Sequence, residues 1–361
     1  MSSVVVTGIS GSLGQRVARL LVEREDVERV VGVDVVATAW SHPKLDFRLT
    51  DLADAPPPRF DGSGDGLAEA FKAADGVIHL AWTAPGEGFS ARGDPSGANR
   101  RAVSRVLAAT AEAGVERLVF VSSATVYGAW PDNKVPLTED TPLRPNPEFP
   151  FAVGKAEAER MLAEWSGSHR DVRVAILRPS ATVGSPERPL YQALGITRSP
   201  RSGDGARPVQ YLHVDDLASA AVLAWERGLD GVYNVAPDPG VREDEARALA
   251  GGVAKLPLPS RVANAFSEWT WKMWRSGVPR EARAYATHPW VIAPDKLKAQ
   301  GWRPQYSSEE ALVATDARPH WDDLPPGKRQ NYNLVIALIA TAGVIAGAGA
   351  VFAAIRRRRR R

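Results

Sequence analysis

The stretch VVVTGISGSLGQRVARLLV, residues 4–22, decides the fold. Val4–Thr7 carry no charge and show no polar–apolar alternation, which is the pattern of a strand buried on both faces. Leu13, Val17, Leu20 and Leu21 then recur at helical spacing. Between the two runs stand Gly8, Gly11 and Gly14. Glycine permits the tight turn, lets a pyrophosphate approach the backbone, and lets the helix pack close to the strand. The N-terminus of the helix then faces the phosphates, with Ser10, Ser12 and Leu13 completing the loop. A glycine turn in another α/β fold remains the alternative at this point.

Working outward, RVVGVDVV (29–36) reads as a second strand, in which Asp34 lies 20 residues beyond Gly14. A carboxylate there accepts hydrogen bonds from adenosine ribose hydroxyls and repels a 2′-phosphate. No arginine follows Asp34 until Arg48, which favours NAD over NADP. Further strands are expected in GVIHLAW (76–82), RLVFVSSATVYG (117–128) and VRVAILRPS (172–180). Helices are expected in NRRAVSRVLAATAEAG (99–114), stopped by Gly114, and in GKAEAERMLAEW (154–165). Strands alternating with helices predict an α/β, Rossmann-type, doubly wound parallel sheet covered on both faces. After Arg188 the alternation weakens.

The expected organisation is a nucleotide-binding domain over 1–185, with 211–236 returning to it, and a mainly substrate-binding lobe over 186–314. A Pro-rich polar linker (315–332), an apolar segment (333–355) and an arginine tail (356–361) follow. Within the lobe, Phe266, Trp269, Met273 and Trp274 share one side of a candidate helix over 261–275. That helix packs on the lobe, caps a lipophilic substrate or touches a bilayer.

The 361 residues include no cysteine, which excludes disulfides, a thiolate nucleophile and zinc–sulfur sites. Six histidines without ligand spacing predict no metal. The formal net charge is +3, and without Arg356–Arg361 it is −3, so the folded part does not read as nucleic-acid binding. Leu334–Ile355 is 22 residues without a charge. As a helix it measures about 33 Å, against a hydrocarbon core of about 30 Å. The expectation is a C-terminal transmembrane helix over 333–355 in the cell membrane with the folded domain on the cytoplasmic side, or else a shallow or looped-back segment whose arginines meet anionic inner-leaflet lipid. The positive-inside tendency opposes a simple span, because it would leave those arginines outside.

Taken in order, TGISGSLG, Asp34, DLAD (51–54), HLAW (79–82), Asn99, VSSATVYG (121–128), Lys155, LRPSATVG (177–184), YLHVDDLASA (211–220), GVYNVA (231–236) and KAQGWRP (298–304) resemble the extended short-chain dehydrogenase/reductase superfamily. The resemblance is to its NAD-dependent epimerase/dehydratase family and spans about residues 3–313. It implies NAD as cofactor, held by the glycine loop with Asp34, Asp51, Leu52, Leu80, Ala81, Trp82, Asn99, Ser122, Lys155 and Pro179. It implies that Asp51 and Leu52 flank the adenine, that Lys155 holds the nicotinamide ribose, and that Ser123 binds the substrate hydroxyl or carbonyl. It also implies a small-molecule substrate, and a homodimer formed through the segments at 95–113 and 151–167.

Two positions depart from that family's pattern. The catalytic tyrosine, four residues before the lysine, is Phe151, and neither Phe149 nor any residue of PFAVGK replaces its phenol. Tyr127, His79, Tyr191 and His213 are the candidate substitutes. Where nucleotide-sugar enzymes of this branch carry a diphosphate-binding arginine, this chain has Val209, with Arg207 nearest. The expected function is a membrane-anchored NAD-dependent oxidoreductase with an altered proton donor, acting on a sugar-nucleotide or lipophilic substrate. The alternatives are a non-catalytic NAD(H)-binding sensor or scaffold, and a lyase or isomerase on the same fold.

Overall fold

The computed structural model describes residues 1–53, 66–72, 74–83, 95–184, 207–238, 240–249 and 280–314. Tyr191, the tryptophan-rich segment, the linker, the apolar segment at 333–355 and the arginine tail lie outside the described residues. Met1–Thr315 form one compact unit. Among the described residues no helix is long and apolar enough to cross a membrane.

In chain order the frame is β1 (Ser2–Thr7), α1 (Ser12–Val22), β2 (Val27–Asp34), β3 (Leu45–Leu49), α2 (Gly66–Phe71), β4 (Gly76–His79), α3 (Pro95–Glu112) and β5 (Arg117–Val121). A 3-10 turn (Ala124–Tyr127), α4 (Pro150–Ser168), β6 (Arg173–Pro179) and β7 (Ala181–Val183) follow. Then come β8 (Pro208–Val209), β9 (Tyr211–His213), α5 (Val214–Glu226), β10 (Gly231–Val235) and β11 (Val241–Arg242). The main sheet has seven strands in the order β10-β6-β5-β4-β1-β2-β3, and every pairing in it is parallel. A parallel sheet needs cover on both faces. One face carries Val6, Val17, Leu21, Ile78, Leu217 and Trp225, and the other Val5, Val77, Val103, Val106, Leu118 and Leu162.

Local chemistry accounts for the boundaries. Val4, Val5 and Val6 have no exposed surface, so the unbroken apolar run is a central strand. In α1 the buried stripe is Gly14, Val17, Ala18, Leu21 and Val22. Leu20, expected on that stripe, is 38% exposed because it lies on the flank of the helix. The second strand ends at Asp34 rather than at Val36. Val35 and Val36 run past the sheet edge at 45% and 52% exposure. Gly114 takes φ 65° just after α3, a conformation that glycine adopts without Cβ strain.

The smaller sheets are antiparallel β8–β11 and parallel β7–β9. A second apolar cluster there gathers Phe149, Tyr211, Tyr285, Trp290, Ile292 and Leu312. Asp216 in α5 has no exposed surface. It accepts from Gln305 N at 2.7 Å and Tyr306 N at 3.1 Å, fastening the last described segment to the sheet's cover.

A buried ion pair fixes α4 against the sheet. Arg178 at the end of β6 donates to Glu159 of α4 at 2.6 Å, with 6% and 3% of the two side chains exposed. Arg178 also donates to the Tyr127 hydroxyl at 2.8 Å, and Tyr127 donates to Asn234 of β10 at 2.7 Å. Ser122 donates to the same Glu159 carboxylate. Removing one partner of such a pair strands a charge away from water. Glu159→Ala is therefore expected to cost about 3–5 kcal/mol in urea unfolding, with Glu159→Ala/Arg178→Met recovering much of that loss. A single-variant loss below about 1 kcal/mol, the level of surface pairs, would sink this account.

Candidate functional site at the switch point of the sheet

The strand order reverses between β1 and β4, and a crevice opens there beyond the carboxyl ends of the strands. The glycine turn forms its floor. Gly8 has φ 74°, and a Cβ on it would come 2.7 Å from Ala81 N. A Cβ on Gly14 would lie 2.1 Å from Gly8 O, so the first turn of α1 rests directly on the loop. Gly11 is the N-cap of α1 and contributes no side-chain cap, so the helix start is left to the crevice. That is the donor arrangement a phosphate needs.

The crevice measures about 360 Å³. Of the expected cofactor residues, Gly8, Ser10, Gly11, Asp34, Asp51, Leu52, Leu80, Ala81, Trp82 and Asn99 line it. Ser12, Leu13, Gly14, Ser122, Lys155 and Pro179 do not. Ser12 is bound by Arg16 Nη1 at 2.7 Å, Leu13 packs on the core, and Pro179 ends β6. Val33, Val35, Val36, Thr50, Ala53, Thr83, Ala98 and Ala102 also line the crevice and escape a motif reading. Val33, Val35, Val36, Thr50, Ala53 and Thr83 sit beside motif residues at strand ends, so the switch-point rule was the available signal.

Several polar groups of the crevice serve as braces. Asp34 accepts from Ser10 N at 2.9 Å and from Val35 N at 2.7 Å, tying the end of β2 to the glycine loop. Asp51 accepts from Ala53 N at 2.8 Å. Asn99 clamps Thr83 from both sides, accepting from its N–H at 2.8 Å and donating to its carbonyl at 2.9 Å. The strand-end carboxylate, the glycine loop and the uncapped helix start fit an adenine dinucleotide. The carboxylate disfavours a 2′-phosphate beside it.

The opposite quarter is apolar. Lys155 Nζ donates to Val121 O at 2.8 Å and lies 3.8 Å from the ring centre of Trp82 and 4.8 Å from that of Phe120. Phe151, in the tyrosine position, has its ring centre 6.0 Å from the same ammonium and meets Trp82 edge-on at 6.4 Å. Burial lowers the Lys155 pKa to about 7, opposed by the nearby Glu159 carboxylate. Ser123 is the N-cap of the 3-10 turn and accepts from Thr125 N at 3.3 Å and Thr125 Oγ1 at 2.9 Å. Both bonds use its oxygen, so they leave its own proton uncommitted.

Among the described residues, the candidate substitutes His79, Tyr127 and His213 are engaged elsewhere. His79 has 2% exposure, and its Nδ1 lies 2.6 Å from Thr7 Oγ1. Burial, and then the Lys155 charge, lower its pKa to about 3, which fits a neutral imidazole packed in the core. Tyr127 is buried in the Arg178–Asn234 network, and burial pushes its pKa up to about 12. His213 is the N-cap of α5 and accepts from Asp215 N. Arg207 pairs with Glu243 and donates to the carbonyls of Tyr285 and His288 at 3.1 and 2.9 Å.

The depressed lysine has a signed consequence. Its pKa is about 7 when folded against 10.5 when free, so between these values the unfolded chain binds more protons. Stability from this group therefore rises as pH increases across that window. Lys155→Met is expected to flatten the rise and to stabilise the protein more at about pH 7 than at about pH 10. Urea unfolding at both pH values checks this, and an unchanged slope would place the amine in water.

Comparison with known proteins agrees with this geometry. The pattern of the NAD dependent epimerase/dehydratase family matches residues 4–236, well over half of the chain. The low-salt glycan biosynthesis protein Agl12 of Haloferax volcanii is 26% identical over 329 residues, covering 86% of this chain and 96% of that protein. A UDP-glucose 4-epimerase of Streptococcus mutans is 25% identical, covering 87% and 95%. The crystal structure of a Thermus thermophilus UDP-glucose 4-epimerase in complex with NAD superimposes with a TM-score of 0.62 at 25% identity, covering 87% and 97%. With that family's pattern matched over residues 4–236, and a switch-point crevice whose glycine cradle and strand-end carboxylate fit a dinucleotide, this chain is a member of the NAD-dependent epimerase/dehydratase family, with NAD as its cofactor.

Proposed function

We propose that this chain is an NAD-dependent oxidoreductase of the epimerase/dehydratase type that moves a hydride at a hydroxyl- or carbonyl-bearing carbon without a phenolic acid–base. The observation that carries this reading is the dinucleotide crevice at the switch point, with its glycine cradle and strand-end Asp34, in a chain that keeps Ser123 and Lys155 at the family's serine and lysine positions. NAD supplies the hydride acceptor and donor chemistry. Asp34 recognises the adenosine ribose and the start of α1 receives the pyrophosphate. Ser123 orients the reacting oxygen, and the Phe149–Phe151–Tyr285 cluster keeps water away from that quarter. A positioned acid–base contributes about 10²–10⁴-fold to such reactions, so turnover is slow unless another group supplies the proton. Lys155, whose pKa burial lowers to about 7, is the side chain proposed for that task once Trp82 no longer covers it.

The substrate class follows from the relatives. UDP-glucose epimerases and a glycan-biosynthesis protein are among them, so a sugar nucleotide or a lipid-linked sugar is proposed. The uncharged run at 334–355 and the arginines after it support anchoring to the cell membrane, with the folded part on the cytoplasmic side. A second reading, an NAD(H)-binding sensor without turnover, is favoured by one observation. Phe151 and Trp82 turn the proton-transfer quarter into an aromatic enclosure.

The test compares the wild type with Phe151→Tyr, each given oxidised NAD with UDP-glucose labelled at its carbinol hydrogens and, separately, nicotinamide-labelled NADH with a small-molecule extract of the source cells. The expected result is label transfer by the wild type and a gain of about 10²-fold in Phe151→Tyr. Transfer by the tyrosine variant alone selects the sensor. Asp34→Ser is expected to weaken NAD binding at least about tenfold relative to NADP, and an unchanged ratio in a titration would reassign the ribose contact. Sedimentation of the full chain with membranes, lost when residues 333–361 are removed, checks the anchor.

A further inference from the structure

A dinucleotide bound at a switch point spans two halves of the sheet, one over β1–β3 and one over β4–β6. In this chain the two halves differ. The crevice is lined over β1–β3 by Asp34, Asp51 and Leu52, and Trp82, which also lines it, covers Lys155. Ser122, which follows β5, and Phe151 and Lys155 of α4 are not among the residues that line it, and Lys155 and Phe151 pack against that indole. We propose that Trp82 is a side-chain gate, and that its indole must leave Lys155 before a dinucleotide occupies the β4–β6 half. The inference rests on the reading of the crevice as a dinucleotide site.

The seat of the indole is built for it. One face covers Lys155 Nζ, 3.8 Å from the ring centre. The six-membered ring crosses α4 at Gly154, where an added Cβ would lie 3.3 Å from Trp82 Cζ2. Phe120 and Phe151 close the sides, with ring centres at 6.3 and 6.4 Å. The backbone on either side is held: Leu80 N donates to Thr7 O at 3.2 Å, and Thr83 is clamped by Asn99. Opening therefore turns on the two side-chain torsions of Trp82.

The exchange is close to balanced, as a gate requires. Lys155 keeps its bond to Val121 O in either state. In the closed state its remaining N–H groups face the negative faces of Trp82 and Phe120, which partly replace hydrogen-bond acceptors. In the open state the polar atoms of the second nucleotide half take that place. A ligand confined to the β1–β3 half sees none of this exchange. One that spans both halves binds with its intrinsic affinity reduced by the fraction of open protein.

The test is calorimetric titration of the full chain with NADH and, separately, with ADP, for the wild type, Trp82→Ala and Gly154→Ala. Trp82→Ala is expected to raise the ratio of NADH to ADP affinity about tenfold, the scale of a lost cation–π seat. Gly154→Ala crowds the indole without removing it, and the substitution favours the helix, so it guards against loss of fold. It should shift that ratio in the same direction by less. A ratio that is unchanged or lower in both variants, with ADP still bound, overturns the gate and makes Trp82 a bystander or a stacking platform. Wild-type protein that binds neither nucleotide overturns the crevice reading and the gate together.

Discussion

The buried pairing of Glu159 with Arg178 is the interaction on which the arrangement of the site depends. It joins α4 to the end of β6, and through Tyr127 and Asn234 it reaches the 3-10 turn and β10. Ser122 hangs from the same carboxylate. An isolated charge in such a place is costly, so each partner holds the other in one geometry. Phe151 and Lys155 are on the helix that this pair anchors, and Ser123 is on the loop it braces. The position of the site is thus set by a contact that is not itself part of the chemistry.

The crevice depends on close backbone approach. Gly14 brings α1 onto Gly8 O, and Gly8 brings the loop onto Ala81. These contacts leave the start of α1 aimed into the switch point with no side chain over it. Asp34 and Asn99 then act as struts in the protein without ligand, one holding the glycine loop and the other the strand end after β4. A polar residue at the edge of such a crevice can thus brace the fold before it meets a cofactor.

The two halves of the site have followed different physical logic. The adenosine side keeps a carboxylate, an open volume and an uncapped helix start. The other side surrounds an amine with Trp82, Phe120 and Phe151. Burial there lowers the lysine's affinity for a proton, and the aromatic side chains shield it from water. Such a quarter tolerates a proton carrier only if the carrier is the amine itself or arrives with the substrate.

Much of the fold was legible in residues 4–22 and in the strand–helix alternation, because a doubly wound sheet writes its burial into unbroken apolar runs and its phosphate loop into glycines. Asp34 and the absent phenol at Phe151 were likewise readable, since each is a matter of residue identity at a fixed spacing. What periodicity could not carry was any contact between distant segments. Glu159 with Arg178, Asn99 with Thr83, and Trp82 over Lys155 are separated by 16 to 73 positions, and none forms a local pattern. The state of His79 was also hidden, because its environment is assembled from Thr7, Phe120 and Lys155 on other elements. The sequence alone thus determined the class of fold, the cofactor crevice and the missing phenol. Only the tertiary structure decided which side chains are braces, which are buried beyond titration and which indole covers the lysine, because burial and pairing are properties of the packed chain.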